Sequence, residues 1–264
     1  MPYNGPMVKV RELLRYRSFI KNLVFKDLKL KYRGSVLGVL WCLVNPLLIL
    51  GVYTLAFQWV LRVQTENYPY FLLVGLLPWT FFSGSLLAST GSIIGNAHLI
   101  KKVYFPRETL PVATVLFNFA QFLLALSVFL PALILFSGVT LRWSALLFFP
   151  LLLLHLVFTI AVALILSALT TSFRDVAHLT EVTLPLLFWV TPIIYPVTMA
   201  PEPLRVFFKV SPLAAFAVAY QDVLVRGVVP EGLVIGSLVG WTVGMLFVGQ
   251  AVFRWYSPTF AEAV

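Results

Sequence analysis

Long apolar runs dominate this chain, and short polar or charged stretches separate them. A helix needs about 20 apolar residues to cross a hydrocarbon core about 30 Å thick, and six runs reach that length with little charge at their centres. These predicted spans are 36–61, 69–94, 110–137, 145–169, 180–198 and 232–253. They lack the alternation of a transmembrane β-strand, and lipid cannot satisfy open backbone groups. The pattern therefore predicts an all-α integral membrane protein with six transmembrane helices.

Two segments outside these spans have patterns of their own. In 9–33 apolar side chains recur at helical spacing and basic side chains occupy the other face, which is typical of an amphipathic helix in a membrane interface. The alternative is a simple basic anchor. In 199–231 the apolar run 210–220 is too short to cross, and it predicts a re-entrant or interfacial segment on the outer face, between spans five and six.

Composition agrees with a membrane protein and excludes some chemistry. The chain has 264 residues, of which 60% are hydrophobic and 11% charged, whereas a soluble domain carries roughly 25% charged residues. A single cysteine, Cys42, excludes an internal disulfide and a multi-cysteine metal site. We expect no cleavable signal peptide, because the first apolar run is longer than a signal-sequence core.

Lysine and arginine predict the orientation of the chain. The net charge is +9, and nine of the 19 basic residues lie in 9–33, directly before the first span. That is a membrane-surface pattern rather than a nucleic-acid pattern. With a cytoplasmic N-terminus, 14 basic residues fall inside and five outside, in agreement with the positive-inside rule. Both termini and the stretch 96–111 are therefore expected in the cytoplasm.

The sequence offers little catalytic chemistry. It has no GxxxxGK[ST] phosphate-binding loop and no HExxH or paired metal-ligand pattern. We therefore expect neither ATPase activity nor a metal site in this chain. His155 is an ionisable side chain in the middle of a span, and a lone histidine there is more typical of helix packing than of ion coupling. If the protein moves something, a partner has to supply the work.

The stretch 96–111, NAHLIKKVYFPRETLP, has the composition of a docking surface. Its aromatic residues are suited to anchor in a groove on a soluble motor, and its charged residues to contact the rim of that groove. The predicted contact residues are His98, Lys101, Lys102, Tyr104, Phe105, Arg107 and Glu108. The alternative is an ordinary, positively charged cytoplasmic turn.

Three segments resemble the type-2 ABC transporter permeases that export polysaccharides. The first, 28–48, has a basic aromatic lead-in followed by Leu-Gly, Trp and Pro; the second, 70–112, has a Gly-Leu-x-Pro-Trp core and a basic loop. The third joins Phe-Arg-Asp at 173–175 to TPIIYPVTMAP at 191–201. The residues that carry the first two matches are Lys31, Tyr32, Arg33, Leu37, Gly38, Trp41 and Pro46, and Gly75, Leu76, Pro78, Trp79, Asn96, Leu99, Ile100, Lys102, Phe105, Pro106 and Leu110.

The resemblance implies a half-transporter in a bacterial inner membrane. Two copies of the chain would form a channel, and two copies of a separate ABC ATPase, which bind ATP and Mg²⁺, would dock beneath it. The cargo would be an O-antigen, capsular or teichoic-acid polymer, often lipid-linked. The resemblance further implies that 97–107 is the coupling helix on the ATPase, that 9–33 also contacts the ATPase, and that 201–224 is an outer gate. No cofactor is expected in this chain.

Aromatic residues make up 15% of the chain, and flat apolar rings suit a tunnel for a long polar glycan. The predicted lining residues are Tyr53, Phe57, Trp79, Phe81, Phe82, Trp189 and Tyr195. Trp59, near the end of a span, is expected in the interfacial aromatic belt. The alternative for each of these rings is helix packing.

Other functions stay open. An ABC exporter of a drug or small lipid would share this architecture. An integral membrane transferase acting on lipid-linked sugars would need grouped carboxylates or histidines, and the sequence offers only Arg174, Asp175 and His178 in a short turn. A self-contained channel or secondary transporter would need mid-membrane charge, which the predicted spans lack.

Overall fold

The structure, a computed structural model, describes residues 15–260 apart from positions 64, 66, 104 and 138–141. These residues form helices joined by turns and short extended connections, with no strand among them, which confirms the all-α prediction. The helices are α1 (Arg17–Tyr32), α2 (Trp41–Tyr53), α3 (Tyr68–Thr90), α4 (Ala97–Lys102), α5 (Thr109–Ser137), α6 (Phe148–Ser172), α7 (Asp175–Val190), α8 (Glu202–Val210), α9 (Pro212–Gln221) and α10 (Gly232–Tyr256). π-Helical turns extend α2 through Thr54–Val60 and α9 through Asp222–Arg226.

Within this described part, five helical segments are long and apolar enough to cross a membrane. They are Gly38–Val60, Tyr68–Thr90, Thr109–Ala132, Trp143–Ser172 and Gly232–Thr259, and they match predicted spans one to four and six. The α8–α9 pair, bent by 97°, gives a sixth if it is counted as one broken span. The alternative is a re-entrant segment, so both the count of six and the re-entrant assignment stay predictions.

Predicted span five differs from the structure. The apolar pattern predicts a helix over 180–198, but α7 begins at Asp175 and ends at Val190. Thr191 is extended, with ψ 134°, as expected for a residue that precedes a proline. At 1.5 Å per residue the 16 residues of α7 measure about 24 Å. The helix is therefore shorter than the hydrocarbon core and needs the following non-helical residues to complete a crossing.

α3 forms the centre of the protomer. The whole segment Tyr70–Pro78 is buried, so every side of that part of the helix contacts protein, as expected for a helix that is apolar all round. Further along α3, Phe81 lies 5.5 Å from the Phe122 ring of α5, and Phe82 lies 6.0 Å from the Phe158 ring of α6. These contacts join three spans into one core.

α6 and α10 approach each other closely. A Cβ atom on Gly249 would lie only 2.5 Å from the carbonyl oxygen of Ala161. A backbone atom cannot move aside as the end of a flexible side chain can, so this crossing requires glycine. Small residues allow the same close approach at helix interfaces in membranes generally.

α1 lies beside the first half of α5. Near its start Phe19 contacts Phe105, with ring centroids 4.9 Å apart. At its end the Lys31 ammonium and the Tyr32 hydroxyl both donate to Oε1 of Gln121, at 2.9 and 2.8 Å. The two helices therefore run in the same direction. Residues 9–14 of the predicted interface helix lie outside the described residues, and its position in the membrane interface stays a prediction.

Candidate functional site

The loop between α3 and α5, residues 96–108, forms a compact corner. Nδ2 of Asn96 donates to the Ser92 carbonyl at 2.9 Å, and Oδ1 of Asn96 accepts from Lys26 Nζ at 2.9 Å. This side chain therefore fixes the start of the corner to the turn after α3 and to α1. α4 ends at an extended Val103, with φ −129° and ψ 138°. The corner is thus a single short helix held at its base.

The structure divides the predicted contact residues of this corner into two groups. His98, Lys101 and Lys102 are exposed. In contrast, Phe105 is 7% exposed and Glu108 is 9% exposed. Phe105 packs among apolar residues of α1, α4 and α5, so in the protomer it fastens the corner instead of anchoring a partner. Tyr104 lies outside the described residues.

Arg107 joins the corner to the end of the last helix. Its guanidinium donates to the Ser257 carbonyl oxygen and lies 5.9 Å from the Phe260 ring, a cation–π distance. Phe260 in turn packs against Phe253 of α10, with centroids 5.3 Å apart. The corner is therefore connected to α1 through Asn96, and to α10 through Arg107.

Aromatic rings join the ends of the first and fifth predicted spans. Tyr53 stacks on Phe188 at 5.7 Å and contacts Trp189 at 6.4 Å. Phe57 lies 6.4 Å from Trp189, and Trp79 lies 5.6 Å from Phe188. We name these five residues the aromatic face. Trp189 is 53% exposed, so the cluster presents ring surface outside the protomer.

The aromatic face contains four of the predicted lining residues and leaves out three. Tyr195 lies beside it and closes the turn after α7, because its hydroxyl donates to the Val190 carbonyl at 2.9 Å. Phe81 and Phe82 are only 3% and 4% exposed and belong to the core around α3. Sequence reasoning missed Phe188, which is buried beneath the exposed Trp189 and gave no pattern distinct from its apolar neighbours.

His155 belongs to the core as well. Its ring stacks on Phe216 at 4.4 Å, and its Nδ1 lies 3.2 Å from the Tyr220 hydroxyl. The residue is 4% exposed. It therefore joins α6 to α9, in keeping with the packing interpretation of a lone histidine.

Hydrogen bonds join the α8–α9 pair to the segment after α7 and to α10. Gln221 of α9 donates through Nε2 to the Pro192 carbonyl at 2.7 Å. At the bend, the Val210 carbonyl accepts from Ser237 Oγ at 2.7 Å and from Trp241 Nε1 at 2.8 Å. α10 thus satisfies a backbone oxygen that the break leaves without a partner inside α8.

The polar segment after α6 offers no enclosed chemistry, and it is mostly helical instead of a turn, because Asp175 and His178 lie in the first turn of α7. His178 lies 3.6 Å from Glu181, and their side chains are 79% and 65% exposed. Across the described residues, no group of three or more histidine, cysteine or carboxylate side chains is placed to hold a metal ion. Neither observation favours the transferase alternative.

Comparison with known proteins gives a consistent result. The family described as ABC-2 type transporter matches residues 19–225. An O-antigen export system permease protein RfbA from Myxococcus xanthus is 35% identical over 257 residues, which cover 97% of this chain and 98% of that protein. An RfbA permease from Klebsiella pneumoniae is 35% identical, covering 90% and 91%. A polysialic acid transport protein KpsM from Escherichia coli is 24% identical, covering 89% and 92%.

Proposed function

This chain belongs to the ABC-2 type transporter family, and we propose that it is the membrane subunit of an ATP-driven exporter that moves a polysaccharide across a bacterial inner membrane. The observation that carries the proposal is its end-to-end similarity to permeases named for O-antigen export. A relative named for polysialic acid transport points to the same cargo class. Both termini lie in the cytoplasm, as the distribution of basic residues indicates.

The corner 96–108 is the docking site for a separate ABC ATPase, which supplies ATP hydrolysis. Three features support this assignment. α4 presents the exposed cations Lys101 and Lys102, its base is fixed to α1 by Asn96, and Arg107 links it to the end of α10. A short exposed helix that is bonded to several other helices can transmit a displacement to them. A turn without such contacts would move alone.

Two copies of the chain form the channel, with their aromatic faces toward the cargo. The support is the unusual exposure of the first span: only 6% of its most apolar window is buried in the protomer. Tyr53 and Phe57 are half-buried where that span contacts α7, and Trp189 beside them is 53% exposed. Flat rings give a polar polymer smooth contact surfaces without fixed charges. The proposed lining excludes Phe81 and Phe82, because both are enclosed in the core.

The test is a pull-down of the tagged chain from its native membranes in mild detergent, with partners identified by mass spectrometry. We expect a P-loop ATPase in a 1:1 ratio to the permease. The double substitution Lys101→Glu and Lys102→Glu should release the ATPase, because it reverses the charge of the exposed helix α4, while Lys101→Arg with Lys102→Arg keeps both positive charges at the same positions and serves as the control. An ATPase retained at full ratio by the double glutamate variant would refute the docking site. Absence of any ATPase, with other membrane complexes intact, would refute the proposed function.

A further inference from the structure

A polar cavity of about 320 Å³ lies between α1, α2, α3 and α5. It is separate from both the corner and the aromatic face. Its polar lining residues are Lys31, Tyr32, Asn45, Thr80, Asn118 and Gln121. Rings from Trp41, Phe81 and Phe122 complete the walls. A volume near 300 Å³, with a few polar groups set among aromatic rings, is typical of a small-ligand site.

The cation in this cavity has a neutral partner. Lys31 Nζ and the Tyr32 hydroxyl both donate to Oε1 of Gln121, at 2.9 and 2.8 Å. None of the ion pairs formed among the described residues includes Lys31. Two donors therefore converge on an amide oxygen where an anionic oxygen would bind them more strongly.

Gln121 carries a second sign of an incomplete site. Its Nε2 is buried and has no hydrogen-bond partner, and a buried amide without a partner is costly. The amide cannot simply be flipped, since Oε1 already accepts two hydrogen bonds. An anionic oxygen placed between the three side chains would accept from Lys31 and Tyr32, and it would free Gln121 to turn and donate as well.

A glycine of α3 also lines the cavity, beside Asn118. A Cβ atom on Gly84 of α3 would lie 3.4 Å from Oδ1 of Asn118. Asn118 donates through Nδ2 to the Thr114 carbonyl at 2.9 Å, so its oxygen is the end of the amide near Gly84. Asn118 lies three residues before Gln121 on α5, so its amide oxygen is on the same helix face as the acceptor of Lys31 and Tyr32. A ligand with a phosphate and neighbouring hydroxyl groups would match the donors of Lys31 and Tyr32 and the oxygen of Asn118.

We propose that this cavity binds the phosphate-bearing headgroup of a lipid, with the phosphate on Lys31, Tyr32 and Gln121 and the neighbouring hydroxyl groups on Asn118 and Thr80. The source is either a lipid-linked glycan, in which case the inference rests on the proposed function, or a resident anionic phospholipid. Gln121 lies about 12 residues along α5 from Thr109, or about 18 Å. A headgroup held there is drawn into the protein instead of staying in the surface layer of the bilayer.

The experiment measures binding to the purified full chain in phosphatidylcholine nanodiscs. One arm titrates a fluorescent polyprenyl diphosphate N-acetylglucosamine, and the other titrates fluorescent phosphatidylglycerol. Lys31→Gln should weaken binding by about tenfold, because it removes a charge-assisted hydrogen bond. Lys29→Gln is the matched control: both lysines are exposed residues of the same helix, but Lys31 lines the cavity and Lys29 does not. Gly84→Leu, which fills the cavity with a good helix former, should weaken binding as well and guards against misfolding of a single variant.

Each result decides something. A selective loss with Lys31→Gln and Gly84→Leu supports the cavity, and the probe that binds more tightly identifies the source of the headgroup. Equal losses with Lys31→Gln and Lys29→Gln would mean general surface attraction and would overturn the proposal, as would failure of both probes to bind the unmodified chain. The assay needs no ATPase. A missing ATPase in the pull-down with intact headgroup binding therefore defeats only the export function, and the converse result defeats only the cavity.

Discussion

The first two spans of this chain have the same length but opposite surroundings. Gly38–Val60 and Tyr68–Thr90 each contain 23 residues and are similarly apolar. Only 6% of the most apolar window of the first is buried in the protomer, against 67% for the second. In a membrane, an apolar side chain can pack against either protein or lipid tails, because lipid tails are as apolar as the side chain itself. Apolar character therefore indicates that a helix is in the membrane, but not whether it lies at the centre or at the edge.

The difference separates two roles. α3 supports the protomer, because its side chains contact α5, α6, α7 and α9. The first span contributes little to that core and instead offers its open side to a second copy, to cargo or to lipid. If this division is right, identical substitutions in the two spans should damage different properties: stability in α3, and assembly or transport in the first span.

The largest effect is expected from a phenylalanine pair. Phe82→Ala removes a ring that is 4% exposed and lies 6.0 Å from Phe158 and 5.9 Å from His155. It should lower the free energy of unfolding by about 3 kcal/mol. Phe57→Ala, in the half-buried continuation of α2, should lower it by about 1 kcal/mol or less while reducing glycan-stimulated ATP hydrolysis. Unfolding titrations in mixed micelles measure both values. Equal losses of stability would show that the first span belongs to the core after all.

A glycine pair tests the same division by adding volume. A Cβ on Gly75 of α3 would lie 3.1 Å from Cγ2 of Ile193, so Gly75→Leu should overpack the contact with the turn after α7 and cost about 1–3 kcal/mol. Gly51 in α2 has nothing within 4 Å of the same position. Gly51→Leu should leave the protomer stable, as judged by thermal unfolding.

The Gly51→Leu variant also tests the proposed dimer. If a second copy covers this side of α2, the leucine should shift the permease from dimer to monomer in light scattering or native mass spectrometry. If only lipid covers it, the oligomeric state should not change. Gly244→Leu on α10, where nothing lies within 4 Å either, is the control for adding a leucine to an open helix face.

Much of the architecture could be predicted from the sequence, because a helix that crosses a membrane requires a run of about 20 apolar residues. The first four spans and the last each appear as helices that are long enough to cross. The pattern failed at 191–198, where apolar residues continue but the helix ends at Val190, two residues before Pro192. Hydropathy is insensitive to a break of that kind, since proline interrupts backbone hydrogen bonding without changing the apolar character of the run.

The location of the candidate site in the chain could be predicted from the sequence, but the directions of its side chains could not. The charged corner was recognisable from composition, but the inward direction of Phe105 depends on Phe19 of α1, which lies far away in sequence. In the same way Phe81 and Phe82 are indistinguishable from Phe57 by residue type, and only tertiary packing separates core rings from the aromatic face. The polar cavity had no sequence signal, because its lining residues come from four different helices.

The smallest change in the free energy of unfolding is expected from an exposed ion pair. Lys209 at the end of α8 contacts the Glu231 carboxylate at 2.7 Å, but their side chains are 30% and 62% exposed. Water and salt screen such a pair, so Glu231→Gln should change the free energy of unfolding by less than about 0.5 kcal/mol. The small difference from the unmodified chain should disappear at 1 M salt, where the Debye length is about 3 Å.

The measurement is the same unfolding titration at low and high salt. It allows the loss of unfolding free energy in the α8–α9 pair to be compared with the losses in α3 and the first span. The α8–α9 pair should keep its position in this variant. The Val210 carbonyl still accepts from Ser237 and Trp241, and Gln221 still donates to the Pro192 carbonyl. A loss of several kcal/mol that persists at high salt would contradict this account. It would mean that the ion pair, and not the buried hydrogen bonds beneath it, holds the bent segment against α10.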